Sequence, residues 1–469
     1  MRYFSLAVLV VVAGARAGVA QPAVPVAQAR PQLSLADAVA AALDHSPAVV
    51  AARSGIEQAD LSLRLAKSVF NFKVTPNIFG SFGEASLSNQ TYGVNVAQRL
   101  ASGALVSGDV MATSYRNQLG TYYNTDTTLQ VMQPLLRAAG ASVFKRPLFD
   151  AESRVSDAGR QLALIEQQTA LEVATAYYAI VVQARLVDVA KSALDRATNL
   201  RDASRARLAT GRVSQLDTLR AEQLAGQAEA QLLDAQGAYA DAHDRLAILV
   251  DRRVTDEFAV IDEIPVDVPP LDVDRAVELA IGHRPELQTA QNALAASERA
   301  VLAARSQLRP QVDLGVAVTR QQTVGQLGTA FGTNDFKVAT LAAINAPVDR
   351  TAEAVALESA LLERAQRQRD LDVLRDRVTV EARQGARRQA HAQRALSLAQ
   401  AAVRSAEREV EVATSRFQIG LSNNLDVVSA QSSLRGAQGQ EIAARAEVAL
   451  ASLAARAAVG VLDPRVDVK

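Results

Sequence analysis

The 469-residue chain contains no cysteine. Disulfides, thiolate chemistry and a lipid-modified N-terminal cysteine are therefore excluded. Tryptophan is absent as well, and aromatic residues make up only 4% of the chain. Fifty basic residues cancel fifty acidic ones. That balance removes the electrostatic argument for nucleic acid or an anionic surface as partner. Beyond the N-terminus no segment reads as long and apolar enough to span a bilayer as a helix. If the mature chain crosses a membrane, it must do so as strands in a closed barrel. What the chain does have is alanine, which supplies much of a hydrophobic fraction of 49%. Alanine favours helix and lets helices approach closely, so long packed helices are the expectation.

Residues 1–20 read as a secretory signal. Arg2 gives the positive end, Leu6–Ala13 the apolar core, and Ala15-Arg16-Ala17 or Gly18-Val19-Ala20 a small-residue cleavage site. Residues 21–33 form a Pro-rich extended leader. Ser34 then caps a helix with Asp37 in a capping box, and Leu35, Ala38, Val39, Ala42 and Leu43 fall at helical spacing. That helix breaks at Asp44–Pro47, where Ser46 and Pro47 suit the cap and first position of the next. The same unit returns from Asp272 to a break at Gly282–Pro285, with His45 and His283 at an offset of 238 (283 − 45). A repeat this long implies two equivalent halves, 34–250 and 271–462, with 251–270 as the linker between them.

Strand patterns follow the paired helices in both halves. At 122–132, Tyr123, Thr125, Thr127, Leu129 and Val131 alternate with Asn124, Asp126, Thr128 and Gln130. At 311–319, Val312, Leu314, Val316 and Val318 alternate with Gln311, Asp313, Gly315, Ala317 and Thr319. One apolar and one polar face at period two is what a transmembrane barrel strand shows, although a half-buried strand of a soluble sheet shows it too. Further strand candidates are 72–84, 91–98, 104–112 and 336–344, with loops at 83–89, 117–124 and 325–334. Pro134 and Pro347 close the two strand regions at an offset of 213, so the first is about 25 residues longer (238 − 213). The surplus is expected as a loop or an added hairpin around 87–120.

Each proline leads into an unusually long helical stretch, about 149–208 and 350–417. Nearly seventy residues at ~1.5 Å each make a rod on the order of 100 Å. Both rods end in one recurring turn, Arg207–Asp217 and Arg416–Asp426, at an offset of 209 (420 − 211). Gly211 and Gly420 end the helices in the left-handed conformation. Ser214 or Asn423 caps the returning helix, with Asp217 or Asp426 at its third position. The return helices span 214–250 and 424–460.

The ordered set resembles the TolC-like outer-membrane efflux factors. It comprises Leu-Ser-Leu-Ala-Asp-Ala-Val at 33–39 and its echo at 271–277, the Ser-Pro and Arg-Pro breaks, and the strand exits Gln133–Arg137 and Ala346–Asp349. The two Gly…Leu-Asp tips complete it. The resemblance covers about 34–462. It implies a mainly α fold: duplicated antiparallel coiled helices forming an α-barrel tunnel, plus four transmembrane strands per protomer in a twelve-stranded trimeric barrel. The implied function is a passive outer-membrane exit duct for efflux or type I secretion. The implied partners are a periplasmic adaptor, an inner-membrane transporter and outer-membrane lipid.

The resemblance also implies a periplasmic gate at Asp217 and Asp426, whose six carboxylates in a trimer favour cations. Phe417 stands where the family has a gate Tyr, and Ser422 where it has a gate Arg, so the closing salt bridge would be missing and the latch is either weaker or built on Arg212. The adaptor would dock on Gly211, Val213, Ser214, Gly420, Leu421, Ser422 and Asn423. No catalytic constellation, cofactor motif or metal spacing is present in the sequence. The competing reading is a periplasmic coiled-coil scaffold without a barrel.

Overall fold

The computed structural model describes residues 32–81, 89–117, 120–211, 213–325, 335–422 and 424–467. Helix α1 (Leu35–His45) starts where Ser34 accepts from the Asp37 amide, and it buries Ala38, Val39, Ala42 and Leu43. Helix α2 (Pro47–Ser68) begins with Pro47, but the Ser46 side chain makes no cap hydrogen bond. Here the expected cap fails; the fixed φ of proline alone suits the first turn. Helices α6 (Val273–His283) and α7 (Pro285–Gln307) repeat the pair, with Asp272 accepting from Asp274 and Arg275 amides. His45 and His283 each place Nδ1 3.0 Å from the carbonyl four residues back, Ala41 and Leu279. Both histidines are helix-end residues.

The rods are α4 (Arg146–Ala209), preceded by the single turn α3 (Ala141–Phe144), and α8 (Thr351–Gln418). Their return arms are α5 (Gln215–Leu249) and α9 (Asn424–Ala458). Gly385 does not interrupt α8. A Cβ there would stand 3.2 Å from the Ala458 Cβ and 3.4 Å from the Ala455 Cα, so the glycine lets α8 and α9 close together. One expectation about membrane helices is corrected. An 18-residue window of α4 is long and apolar enough to cross a bilayer. Its apolar side chains face inward: Val173, Tyr177, Ile180 and Val181 pack against Val39, Leu43, Leu246 and Leu453. The second half has a parallel cluster of Ala276, Ala280, Leu287, Leu371, Val378, Ala382 and Val459.

The linker is not plain coil. Its strand β6 (Ala259–Val260) pairs in parallel with β1 (Gln32–Leu33). Two buried polar side chains hold the segments that enter the short helices. The Tyr177 hydroxyl lies 3.1 Å from the Leu33 carbonyl and 3.0 Å from that of Ile261. Gln389 accepts from the Leu271 amide at 3.1 Å and donates to the Pro269 carbonyl at 3.1 Å.

The main sheet holds a strand at each of the six candidates read from the sequence. Strands β2 (Lys73–Ser81), β3 (Asn89–Arg99), β4 (Leu105–Asn117) and β5 (Gly120–Pro134) precede β7 (Gln311–Val324) and β8 (Lys337–Asn345). They form one six-stranded antiparallel sheet in the order β2-β3-β4-β5-β7-β8. The sheet therefore has two strands more than the four that the resemblance implies. The surplus length of the first half forms an added hairpin. The expected loop at 117–124 is also mostly strand, because β4 runs to Asn117 and β5 resumes at Gly120. The expected loops at 83–89 and 325–334 lie almost wholly outside the described residues, as do 1–20 and most of the leader.

Candidate functional site

Two features bear on function: the hairpin tips and the two faces of the sheet. At the tips, Gly211 has φ +69° and Gly420 +79°, where a Cβ would strain the backbone. The Leu421 amide reaches back 2.9 Å to the Arg416 carbonyl, closing the end of α8. At the first tip the Ser214 Oγ accepts from the Asp217 amide at 3.2 Å, and the Asp217 carboxylate accepts from the Ser214 amide at 3.3 Å. The capping box is therefore complete. At the second tip the Ser422 hydroxyl donates to the Asp426 carboxylate.

The structure separates the residues expected at the gate. Asp426 is exposed and Asp217 half-buried. Gly211, Ser214, Gly420 and Leu421 are exposed, with Val213 and Ser422 half-buried. Arg212 and Asn423 lie outside the described residues. Phe417 is buried among Ala197, Leu200, Leu224 and Val427. In the protomer it is a core residue joining the two hairpins rather than a wall residue, because the second rod turns that face toward the first.

Two residues that sequence reasoning passed over make this joint. The Arg207 guanidinium sits 4.4 Å over the Phe417 ring, and its Nη1 donates to the Phe417 carbonyl at 3.0 Å. Asn424 is fully buried and donates to the Asp217 carbonyl at 2.9 Å. The two tips are thus tied to each other by side chains. The one available signal was the break in the repeat, where Asn424 stands opposite Gln215 (424 − 215 = 209). Nearby, Arg205 pairs with Glu222 at 2.7 Å, and a hydrogen bond from Arg201 holds the Asp202 carboxyl below its usual range. These pairs are exposed and contribute little to stability. Among the described residues no group of three or more His, Asp and Glu is arranged to hold a metal.

The sheet carries its chemistry in rows. On one face Val74, Val96, Gly108, Leu129, Val318 and Val338 are successive cross-strand partners. On the other face the neighbouring row is Thr75, Asn95, Asp109, Thr128, Thr319 and Lys337. Asn95 donates to Asp109 within that row, and Thr91 and Thr113 hydroxyls meet at 3.1 Å. The apolar row is open to the surroundings: Val74 is 56%, Leu129 54% and Val338 72% exposed. A sheet wet on one face and apolar but uncovered on the other is built for lipid on the apolar side.

Comparison with known proteins agrees with this geometry. Residues 276–461 match the family described as outer membrane efflux protein. The match lies within the second half of the chain. The fold of the whole chain is that of solved outer-membrane channels. It superposes on the outer membrane protein VceC of Vibrio cholerae with a TM-score of 0.68 at 20% identity, covering 91% of this chain and 96% of that one. The CmeC outer membrane channel of Campylobacter jejuni gives 0.65 at 15% identity, covering 92% and 87%. The open-state MtrE channel of Neisseria gonorrhoeae gives 0.64 at 18% identity, covering 92% and 90%. No curated protein matches the chain by sequence. In this efflux-protein fold the hairpin tips lie at the end of the rods far from the sheet.

Proposed function

We propose that the protein is the outer-membrane exit duct of an efflux or type I secretion assembly. The sheet sits in the outer membrane and the rods extend into the periplasm. The observation that carries this reading is the two-faced sheet with open edges at β2 and β8. One copy cannot close it, and open edges do not persist in lipid, so several copies must share one barrel. Three copies, each giving two hairpins, then form a helical tunnel on the order of 100 Å long. The two halves, 34–250 and 271–462, give equivalent hairpins to its wall. The duct does no chemistry of its own; a periplasmic adaptor and an inner-membrane transporter supply cargo and energy.

The tips are the natural place for closure and adaptor docking. Gly211, Val213, Ser214, Gly420, Leu421 and Ser422 present the turn surfaces. Asp217 and Asp426 supply the acidic ring, with Asp426 the more accessible. Phe417 supports the ring from behind through Arg207. The cell-fractionation test is direct: the protein should enter the outer-membrane fraction as a trimer that heat dissociates. A soluble periplasmic monomer would instead support the scaffold reading. For the gate, Asp426→Ala should lower cation preference in planar bilayers, and unchanged selectivity removes Asp426 from the filter.

A further inference from the structure

We infer that all six strands are barrel staves, so that three copies close an eighteen-stranded barrel through a seam between β8 of one copy and β2 of the next. This rests on the trimeric duct reading above and departs from the twelve-stranded barrel that the resemblance implies.

Four observations on the sheet carry it. First, the added strands are full members. Strand β3 pairs with β4 over eleven positions, from Asn89–Tyr115 to Arg99–Leu105, and β2 pairs with β3 over nine. Second, both face rows run unbroken from β2 to β8. A β2–β3 flap lying in water would expose Val74 and Ile78 there, at 56% and 76%, without lipid to receive them. Third, every strand has nine residues or more, and ~9–11 suffice to cross a bilayer.

Fourth, the edges fit each other. Six antiparallel strands leave β2 and β8 running in opposite directions, so a copy placed beside another continues the antiparallel order. Both edges are nine residues long. Pairing Lys73–Ser81 against Lys337–Asn345 end to end sets Val74 opposite Ile344 and Thr75 opposite Ala343. That register keeps the apolar face apolar across the seam. It also places Lys73 and Lys337 at opposite ends, so like charges do not meet.

The turn between β3 and β4 points to the same arrangement. Gly103 has φ +91°, and a Cβ there would stand 3.3 Å from Pro134 Cγ and 3.7 Å from Phe144 Cδ2. This turn therefore packs on the helical end of the sheet, while β2, β4 and β7 each end at the far side. Short turns on the periplasmic side with loops outside are the barrel arrangement. Barrel diameter grows roughly linearly with strand number, so the bore is about 1.5-fold wider than a twelve-stranded one. Barrels of sixteen to eighteen strands leave an aqueous channel, so the membrane end would not be the narrow point of the duct.

The chain lacks cysteine, so engineered thiols report alone. The pair Thr75→Cys with Ala343→Cys, scanned by two residues either way, should give oxidant-dependent covalent dimers and trimers on non-reducing gels. A barrel using only β4, β5, β7 and β8 would bring β4 against β8, so Asp109→Cys with Leu341→Cys would cross-link instead. That result, or native trimers with no β2–β8 link anywhere in the scan, overturns the eighteen-stranded barrel while leaving the duct intact. Monomers under native conditions would sink the duct reading itself. As a check free of substitutions, projection images of the unmodified protein should show a membrane belt about 1.5-fold wider than twelve strands allow; a belt of twelve-strand width refutes the proposal.

Discussion

The two halves of the chain anchor the entrance to their short helices in matching places with different side chains. In the first half Tyr177, 2% exposed, holds the Leu33 and Ile261 backbone. In the second, Gln389, 3% exposed, holds Leu271 and Pro269. Leu33 and Leu271 are equivalent, each one residue before the cap of its short helix. The tyrosine adds a large ring to a core that already holds Ile180, Leu246 and Leu43. The glutamine lies beside the smaller Ser452, Ala455 and Val459. One fold thus accepts two solutions to the same problem, which is to satisfy the backbone where linker or leader meets rod. The first solution relies on volume as well as hydrogen bonds, the second mainly on hydrogen bonds.

Truncation should expose that difference most. Tyr177→Ala is expected to cost ~3–5 kcal/mol, since it leaves a cavity and loses the bonds. Gln389→Ala should cost only ~1–3 kcal/mol, mostly from the unpaired Leu271 and Pro269 groups. Denaturant unfolding followed by helical circular dichroism in detergent measures both. Equal losses would dissolve the distinction.

Removing the hydrogen bonds alone should narrow the gap. Tyr177→Phe and Gln389→Leu are each expected to cost ~1–3 kcal/mol, because each leaves buried backbone groups without a partner. A neutral Tyr177→Phe would mean that the ring, not the hydroxyl, holds the segment.

Alkaline pH should then act on one half only. Burial pushes the Tyr178 hydroxyl up to about 12, and raises that of Tyr177 beside it. A raised folded-state value favours the protonated form in the native state. The stabilisation is full below pH ~10 and is lost as pH rises toward about 12. The slope is at most ~1.4 kcal/mol per pH unit for each tyrosine. Gln389 does not titrate. A pH series on Tyr178→Phe should lose part of that alkaline limb, and an unchanged limb would assign it elsewhere.

The smallest effects belong to exposed contacts, a cap at one tip and a surface ion pair. Ser214→Ala breaks the capping box and should cost ~1 kcal/mol, read as a slight fall in midpoint. The exposed pair Arg364–Glu298, at 3.3 Å between α8 and α7, should cost less than ~1 kcal/mol when broken.

Much of the architecture was legible because it rests on local rules. Period-two alternation located β5 and β7, and the glycine turns and serine or aspartate caps located the tips. Length and alanine content gave the rods. The gate was legible only as a place. The sequence put Phe417, Asp217 and Asp426 within one motif, but the direction of each side chain depends on how the hairpins pack. Phe417 turns into the joint with Arg207 because Ala197, Leu200 and Val427 leave room for a ring there. Asn424 looked like an ordinary polar start to a helix, and only its neighbour across the joint, Asp217, makes it a tie.

By itself, then, the sequence determined the repeat, the tip turns, the rod lengths and the two faces of β5 and β7. Those follow from backbone preference and spacing between near neighbours. Tertiary structure decided that the surplus of the first half is a hairpin paired into the same sheet as the other strands. It also decided that Tyr177 and Gln389 anchor the two entrances, and that Phe417 faces a joint rather than open space. Each of these depends on contacts between segments tens to hundreds of residues apart, whose pairing no local period encodes.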